Sequence, residues 1–545
     1  MIKKLSENKF IKNLPDILPW LFVITGMIFT SILIAQKGNK ILSSDFAVEL
    51  VLARHLNEEH TFVSTTWAYS TWVRIFDVVL IRKLVFAIIG YGNWLLSRVV
   101  TNLIMMILLT ASYIYTAKAA GFRRMGLWTA AALCWPFGVW YVLNVLYGGF
   151  YYSFMINYIL SIGLIIKLSG RDKDEDKRSS TIVRITALVI LALISGCDGV
   201  RGLMCFCCPL VVGSVVYTVL NDASGNTADR KKCFRFTGYT FLVFAVSCFG
   251  YLINKFVLPT KFSFSANYGT DPLWIKLDPG KILATYADYL QLLGYRTGVN
   301  IMSKMGVINF LAITLAALYV VSLVRLCKNF KTLSFAHRII TIYNISFGIF
   351  LSVIYMVSDW AYNESYWVPL LPFIFITLQA EYDSDPLLKK DSLFGTKAIA
   401  ALFVVCILGV SYSTYLSPYN WAHNNSDSHM DPVASWLDTN GYECGYATFW
   451  NSSIVEELTN GDVRMYSVHT IAENANPGLW LDVLNTPQDA SVGKAFVLVG
   501  YDELTTVTEA QRQYIVENMV YDDGVYVVVP ITSLTDYRNI MIERM

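Results

Sequence analysis

The sequence runs to 545 residues, of which 55% are hydrophobic, 15% charged and 14% aromatic, and its formal net charge is +2. Soluble globular chains are about 45–50% apolar and about 25% charged. The shortage of charge, with a mean hydropathy of +0.46, puts most of the chain in lipid. That excludes a soluble enzyme, a nucleic-acid binder and a disordered scaffold, and it leaves no polyelectrolyte surface.

Crossing about 30 Å of hydrocarbon takes roughly 20 apolar residues. The first uncharged stretch, 17–36, follows Lys9 and Lys12. It is too long for a signal peptide and lacks a small-residue cleavage site. Further stretches run 99–117, 202–221, 236–254, 305–324, 339–358, 365–380 and 398–422. The stretch 125–166 is long enough for two spans with a turn near Asn144–Gly149, and 181–197 adds another, with Arg184 at one end. The expectation is about eleven transmembrane helices.

Residues 78–90 are apolar but short, with Arg82 and Lys83 in the middle. Counted as a span, they would place Arg123/Arg124, Arg230/Lys231/Lys232 and Lys389/Lys390 outside, against the cytoplasmic excess of Lys and Arg. The segment therefore reads as an interfacial or re-entrant helix with its basic pair at the headgroups. The inner segments then hold 24 of the 43 Lys and Arg residues. This orientation makes the chain an integral protein of the plasma (cytoplasmic) membrane, with a cytoplasmic N-terminus and an extracytoplasmic C-terminal domain.

Two domains follow: a membrane domain over 1–422, whose first outer loop (37–98) contains interfacial helices, and a tail over 423–545. The tail carries 18 Asp and Glu against 5 Lys and Arg. Strand-like runs (Tyr446–Phe449, Ala495–Val499, Val525–Val529) alternate with helix-like ones (Ser453–Leu458, Glu509–Asn518), which predicts a small α/β domain. Only Cys444 of the ten cysteines falls in the tail, so no disulfide framework is expected. Cys205, Cys207 and Cys208 lie in an apolar span without a nearby His and read as packing residues.

The sequence has no GxxxxGK[ST] phosphate loop, no GxGxxG fingerprint and no HExxH motif. Mid-span ionisable residues, which mark pumps and ion-coupled carriers, are nearly absent. Polar density lies instead in the outer loops, above all in SSDFAVELVLARHLNEEHTFVSTTWAYSTWVRIFD. Asp45 and Glu49 are four apart and share a helix face. Arg54 and His55 follow, then Trp67, Tyr69, Ser70 and Arg74, an aromatic and hydroxyl cluster suited to sugar stacking. A carboxylate at the membrane surface can take a proton from an attacking hydroxyl. Asp45 at the N-cap of a helix over 46–56 fits the same spacing.

SSDFAVELVLARHL, then STTWAYSTWVRIFD, then a short apolar helix, then GNWLLSRVVTN resembles the N-terminal third of the GT-C superfamily, integral-membrane glycosyltransferases that use polyprenyl-phosphate-linked sugars. The tail phrase GYATFWNSSIVEELTNGDVRMYSV is similar to the extracytoplasmic domain of bacterial members. The resemblance implies a GT-C-like helical fold and an inverting displacement. An acceptor hydroxyl, on an extracytoplasmic glycan, lipid or protein, attacks the anomeric carbon as the lipid phosphate leaves. Its implied catalytic residue is the first-loop acid, here Asp45, with Glu49 as a second carboxylate. Membrane lipids are the remaining partner, and no nucleic acid is expected.

The chain departs from the family in three places. The second acidic motif of oligosaccharyltransferase-type members is absent from NVLYGGFYY, so no metal or other cofactor is expected, with a divalent ion left open. The adjacent acids of protein-mannosyltransferase types are here four apart. The late Arg-Tyr pair is replaced by NESYWVPLLP. A ligand for the donor phosphate must then come from Arg201 in GCDGVRG, Arg296 in GYRTGVN, or Arg74, since arginine clamps phosphate in two-point fashion. Trp67, Tyr69 and Glu364 are candidates for acceptor or sugar contacts, with Asp359, Trp360 and Tyr362 beside Glu364. His423, Asp427, His429 and Asp431 carry metal-ligand chemistry but lie in a segment that reads as a solvated linker. The rival readings are a lipid-linked polysaccharide polymerase or ligase relying on Arg296, a lipid or glycan transporter, and a non-catalytic scaffold.

Overall fold

The computed structural model describes residues 9–74, 77–122, 126–170, 178–222, 227–265, 277–357, 364–384, 395–416, 430–472, 475–478, 480–487 and 493–545. Its contacts divide the chain into two compact units. A helical unit comprises Met1–Ile32, Asn102–Phe256 and Asp271–Leu416; a mixed unit comprises Leu33–Thr101, Val257–Thr270 and Ser417–Met545. The mixed unit thus groups the first loop with the tail.

Among the described residues nine helices are long and apolar enough to cross a membrane, and the chain is an integral membrane protein. Two of the eleven expected spans are not single long helices. In 125–166, the helix Gly126–Ala132 stops before Pro136, and the chain resumes at Val139–Tyr141, runs through the π-helical turn Val142–Tyr147 and re-forms as Tyr152–Ser169. Proline has no N–H to donate and disfavours α geometry in the residue before it. Pro369 likewise lies in the 3₁₀ turn Glu364–Leu370, which leaves Leu371–Ser384 only 14 residues long. Close helix packing relies on small residues: a Cβ at Gly196 would strike the Ser247 carbonyl of the helix Thr227–Leu252. Cys205 and Cys207 are buried on the π-helical turn Leu203–Cys207 and are free.

The mixed unit holds helices α1 (Ser44–Glu58), α2 (Val78–Ile89), α3 (Met430–Thr439), α4 (Phe449–Leu458), α5 (Glu509–Asn518) and α6 (Leu534–Glu543). Its strands are β1 (Ala68–Tyr69), β2 (Ser263–Phe264), β3 (Cys444–Thr448), β4 (Arg464–Val468), β5 (Ala495–Gly500), β6 (Tyr521–Asp522) and β7 (Tyr526–Ile531). A five-stranded sheet runs in the order β4-β3-β5-β7-β6. β3 is parallel to β4 and β5, whereas β7 is antiparallel to β5 and β6. Every residue of β5 is buried, which is why it reads as an unbroken apolar run rather than an alternation. Val497, Val499, Val527 and Val529 meet Ile515 of α5 and Leu534 of α6 in one core. A full capping box between Thr508 and Gln511 starts α5, and the Ser533 hydroxyl accepts from the Asp536 N–H at the start of α6.

A second core joins three distant segments. Leu50, Leu52, Trp67, Tyr69, Val79, Phe86 and Trp94 pack with Phe449 and Leu481 of the tail. β1 pairs in parallel with β2, and the Ala68 N–H donates to the Asp482 carbonyl at 2.8 Å. The short apolar segment forms α2, capped by Asp77, whose carboxylate accepts from the Val78 N–H, and ended at Gly90 with φ 78°. Of its basic pair, Arg82 is buried and Lys83 is partly exposed. Arg82 is 1% exposed, and Lys83 Nζ donates to the Leu56 carbonyl and to Asn57 Oδ1, both at 3.0 Å. The apolar residues Leu84 and Ile88 face outward instead.

Candidate active site

Leu42 and Ser43 enter α1 in extended conformations; Ser43 occupies the cap position without a capping side-chain hydrogen bond. The N–H groups of Phe46 and Ala47 donate to the Ser43 carbonyl at 3.0 and 2.9 Å. Asp45 is therefore a first-turn residue rather than the cap that its spacing also allowed. A carboxylate there is favoured by the helix dipole. Asp45 is half-buried, and among the described residues its side chain has no hydrogen-bond partner. Burial pushes its pKa up, and the charge of Arg74 pulls part of the way back.

Glu49, one turn on, is 1% exposed and fully engaged. Arg82 Nη1 donates to its Oε2 at 2.6 Å, and Arg74 Nη1 donates to its Oε1. Burial drives the Glu49 carboxyl up to about 7, against the opposing pull of Arg82 and Arg74. Glu49 thus acts as the anchor of two guanidinium groups. Arg74 has φ 45°, lies with Nη1 3.6 Å from Asp77 Oδ2 and stacks its guanidinium 5.2 Å over the Trp72 ring. Asp77, at the cap of α2, links this clamp to the helix that carries Arg82.

The clamp continues into the tail. Arg98 is 1% exposed; its Nε and Nη2 donate to Glu457 Oε1 at 3.0 and 2.7 Å, and Nη2 also donates to the Phe46 carbonyl at 3.2 Å. Arg54 Nε donates to Glu58 Oε1 at 2.9 Å, and its Nη1 donates to the Gly461 carbonyl at 2.7 Å. His55 Nε2 lies 2.9 Å from Thr66 Oγ1 and 3.3 Å from Glu59 Oε1, and burial lowers its pKa.

Other expected contacts are placed differently. Trp67 and Tyr69 are 0% and 1% exposed, core residues with no ring face open to a sugar. Arg201 and Arg296 belong to the helical unit. The Arg201 guanidinium sits 5.2, 5.5 and 5.1 Å from the rings of Tyr151, Phe154 and Tyr366, a cation–π box. Arg296 is tied by its side chain to the Ser413 carbonyl at 2.5 Å and by its backbone to Asn309. Glu364 opens a 3₁₀ turn of the helical unit, but its side chain, like Asp359, Trp360, Tyr362, His423, Asp427 and His429, lies outside the described residues. No group of three His, Cys, Asp or Glu among the described residues could hold a metal ion. Glu49, the nearest sequence partner of Asp45, is occupied by arginines.

Sequence reasoning missed Arg82, Arg98, Asp77 and Glu457. The signal was present for Arg82: a charge inside an apolar segment needs a partner as much as a headgroup. Glu457 offered none, because its partner is 359 residues away.

No family model matches the sequence, and no curated protein matches it. Solved structures do match. ArnT from Cupriavidus metallidurans bound to undecaprenyl phosphate superimposes with TM-score 0.50 at 13% identity, over 94% of this chain and 98% of that one. Its apo state gives TM-score 0.52 at 12% identity with the same coverage. The apo oligosaccharyltransferase of Archaeoglobus fulgidus follows at TM-score 0.49 and 10% identity, over 88% of this chain and 70% of that one.

Proposed function

We propose that this chain, whose fold is that of the GT-C membrane glycosyltransferases, is itself a glycosyltransferase that moves a sugar, hexosyl or pentosyl, from a polyprenyl-phosphate donor to an extracytoplasmic acceptor. The observation that carries the reading is Asp45: a half-buried carboxylate at a helix N-terminus, without a hydrogen-bond partner among the described residues, its pKa pushed up by burial. A base with a raised pKa takes a proton more readily as the hydroxyl attacks. The binding of undecaprenyl phosphate by ArnT supports a lipid-phosphate donor.

In the proposed step the acceptor oxygen bonds to the anomeric carbon, and the bond from that carbon to the phosphate oxygen breaks. Configuration inverts, the hydroxyl proton passes to the Asp45 carboxylate, and the lipid phosphate leaves with the bonding pair. Cationic donors offset its developing charge. Arg74 is the first candidate, because Glu49 fixes it and its field reaches Asp45. Its guanidinium carries five N–H donors and can serve more than one acceptor. The distribution of Lys and Arg supports a cytoplasmic N-terminus and an extracytoplasmic mixed unit.

The test is transfer of label from radiolabelled undecaprenyl-phosphate sugars in membranes holding wild type or Asp45→Asn. Loss of a general base removes about 10²–10⁴ in rate, with insertion and yield unchanged. An Asp45→Asn protein that transfers at the wild-type rate refutes the assignment.

A further inference from the structure

The first turn of α1 lacks its usual local support. Ser43 caps it without a side-chain hydrogen bond, and the buried Ser44 hydroxyl has no hydrogen-bond partner among the described residues. A helix start is ordinarily fixed by such a cap. Here the support comes from the side. Arg98, on the helix Trp94–Ala119, reaches the Phe46 carbonyl beside Asp45. Both oxygens of Glu457 accept from the guanidinium. Ser44, Phe46, Arg98 and Glu457 are all buried.

We propose that Glu457 and Arg98 are positioning residues, through which tail helix α4 sets the first turn of α1 and with it the Asp45 carboxylate. The inference rests on the reading of Asp45 as the base. Two further contacts fix the C-terminal end of α4 to the same elements. Asn460 Oδ1 accepts from the Trp94 N–H at 2.9 Å, and the Gly461 carbonyl accepts from Arg54 of α1 at 2.7 Å. Glu457 is the carboxylate paired with Arg98, and its field also reaches Arg82, whose own direct partner is Glu49. Neutralising Glu457 therefore leaves the buried Arg98 guanidinium without its paired carboxylate and removes part of the negative field on Arg82. The fork geometry is what matters: a lysine at position 98 can pair with Glu457 but cannot present a planar fork to carboxylate and carbonyl together.

The test uses the full chain in detergent, with Glu457→Gln, Arg98→Lys and Asp45→Asn beside wild type. Hydrogen exchange is followed over residues 44–48 and, as an internal control, over β5 and β7. Loss of a charge-assisted hydrogen bond should raise exchange over 44–48 on the order of tenfold in Glu457→Gln and Arg98→Lys. The strand peptides should stay at wild-type protection. With radiolabelled undecaprenyl-phosphate sugars, the same two variants should lose about a hundredfold in kcat at unchanged KM. Unchanged exchange over 44–48 in both variants overturns the proposal, as does a rise shared equally by β5 and β7. Transfer that survives Asp45→Asn removes the base assignment alone, because exchange decides the positioning claim separately.

Discussion

Asp482 offers a measurable link between a buried carboxyl and stability. It is 5% exposed and accepts from the N–H groups of Ser467 and, at 2.7 Å, Val483. No cation pairs with it within 4 Å among the described residues, and the field of Glu456 works against its ionisation. Burial dominates and raises its pKa from the usual 3.8 to about 7. In the unfolded chain this carboxyl loses its proton near 3.9; in the folded chain it keeps it to about 7. Between those values the folded state binds more protons, so stability is greatest below the unfolded pKa and falls as pH rises through the folded one. At about 1.36 kcal/mol per pH unit the gap is worth about 4 kcal/mol. For a unit of this size that is on the order of 10 °C in melting temperature. Asp482→Asn removes the titration but keeps a carbonyl for one of the two N–H donors. Melting curves of the full chain in detergent, from pH 4.5 to 8, should therefore cross. The variant should be less stable by about 1 kcal/mol at the acid end and more stable at the alkaline end. Parallel curves for wild type and variant across that range would refute the reasoning, because Glu49 and Glu456 titrate in both.

Transfer should respond to pH in the opposite sense. Asp45 must be ionised to act, so the rate should climb with pH through a midpoint above the usual carboxylate value of about 3.9; a profile flat to pH 4 would exclude it. Arg82→Ala leaves Glu49 with Arg74 alone and should cost the mixed unit about 3–5 kcal/mol, read as a lower melting temperature. Gly461 has φ +80°, and a Cβ there would run into the Arg54 guanidinium and lie 2.9 Å from the Trp94 ring. Gly461→Ala should destabilise by more than about 1 kcal/mol. Trp67→Phe should lower stability without raising the acceptor KM, since Trp67 is wholly enclosed.

Much of the architecture was legible because lipid imposes it. Uncharged runs of sufficient length became the long helices, and the apolar runs of the tail became β3, β5 and β7. The exceptions are physical. Pro136 and Pro369 break helices that hydropathy alone would continue. Strand β4 (RMYSV) has a mixed pattern that takes its meaning from pairing with β3. Within the site, Asp45 and Glu49 stood out by spacing, but their different roles did not. Among the described residues Asp45 has no hydrogen-bond partner, whereas Glu49 is clamped by Arg74 and Arg82, which lie 25 and 33 residues further along the chain. The aromatic cluster Trp67–Tyr69 carried a sugar-binding pattern, yet those rings fill the core between α1, α2 and the tail.

The mixed unit is discontinuous in sequence, and that has a consequence for biogenesis. Arg98 must wait for Glu457, 359 residues later. At about 5–20 residues per second, roughly 20–70 s of synthesis separate the two. Throughout that interval the first loop has left the ribosome without Phe449, Leu481 or the carboxylate that balances Arg98. A nascent chain therefore carries Asp45 long before it has a finished site, and maturation is timed by arrival of the tail. Chains truncated before α4 would insert with their helices intact and their first loop unclosed, exposing apolar surface that quality-control proteases recognise.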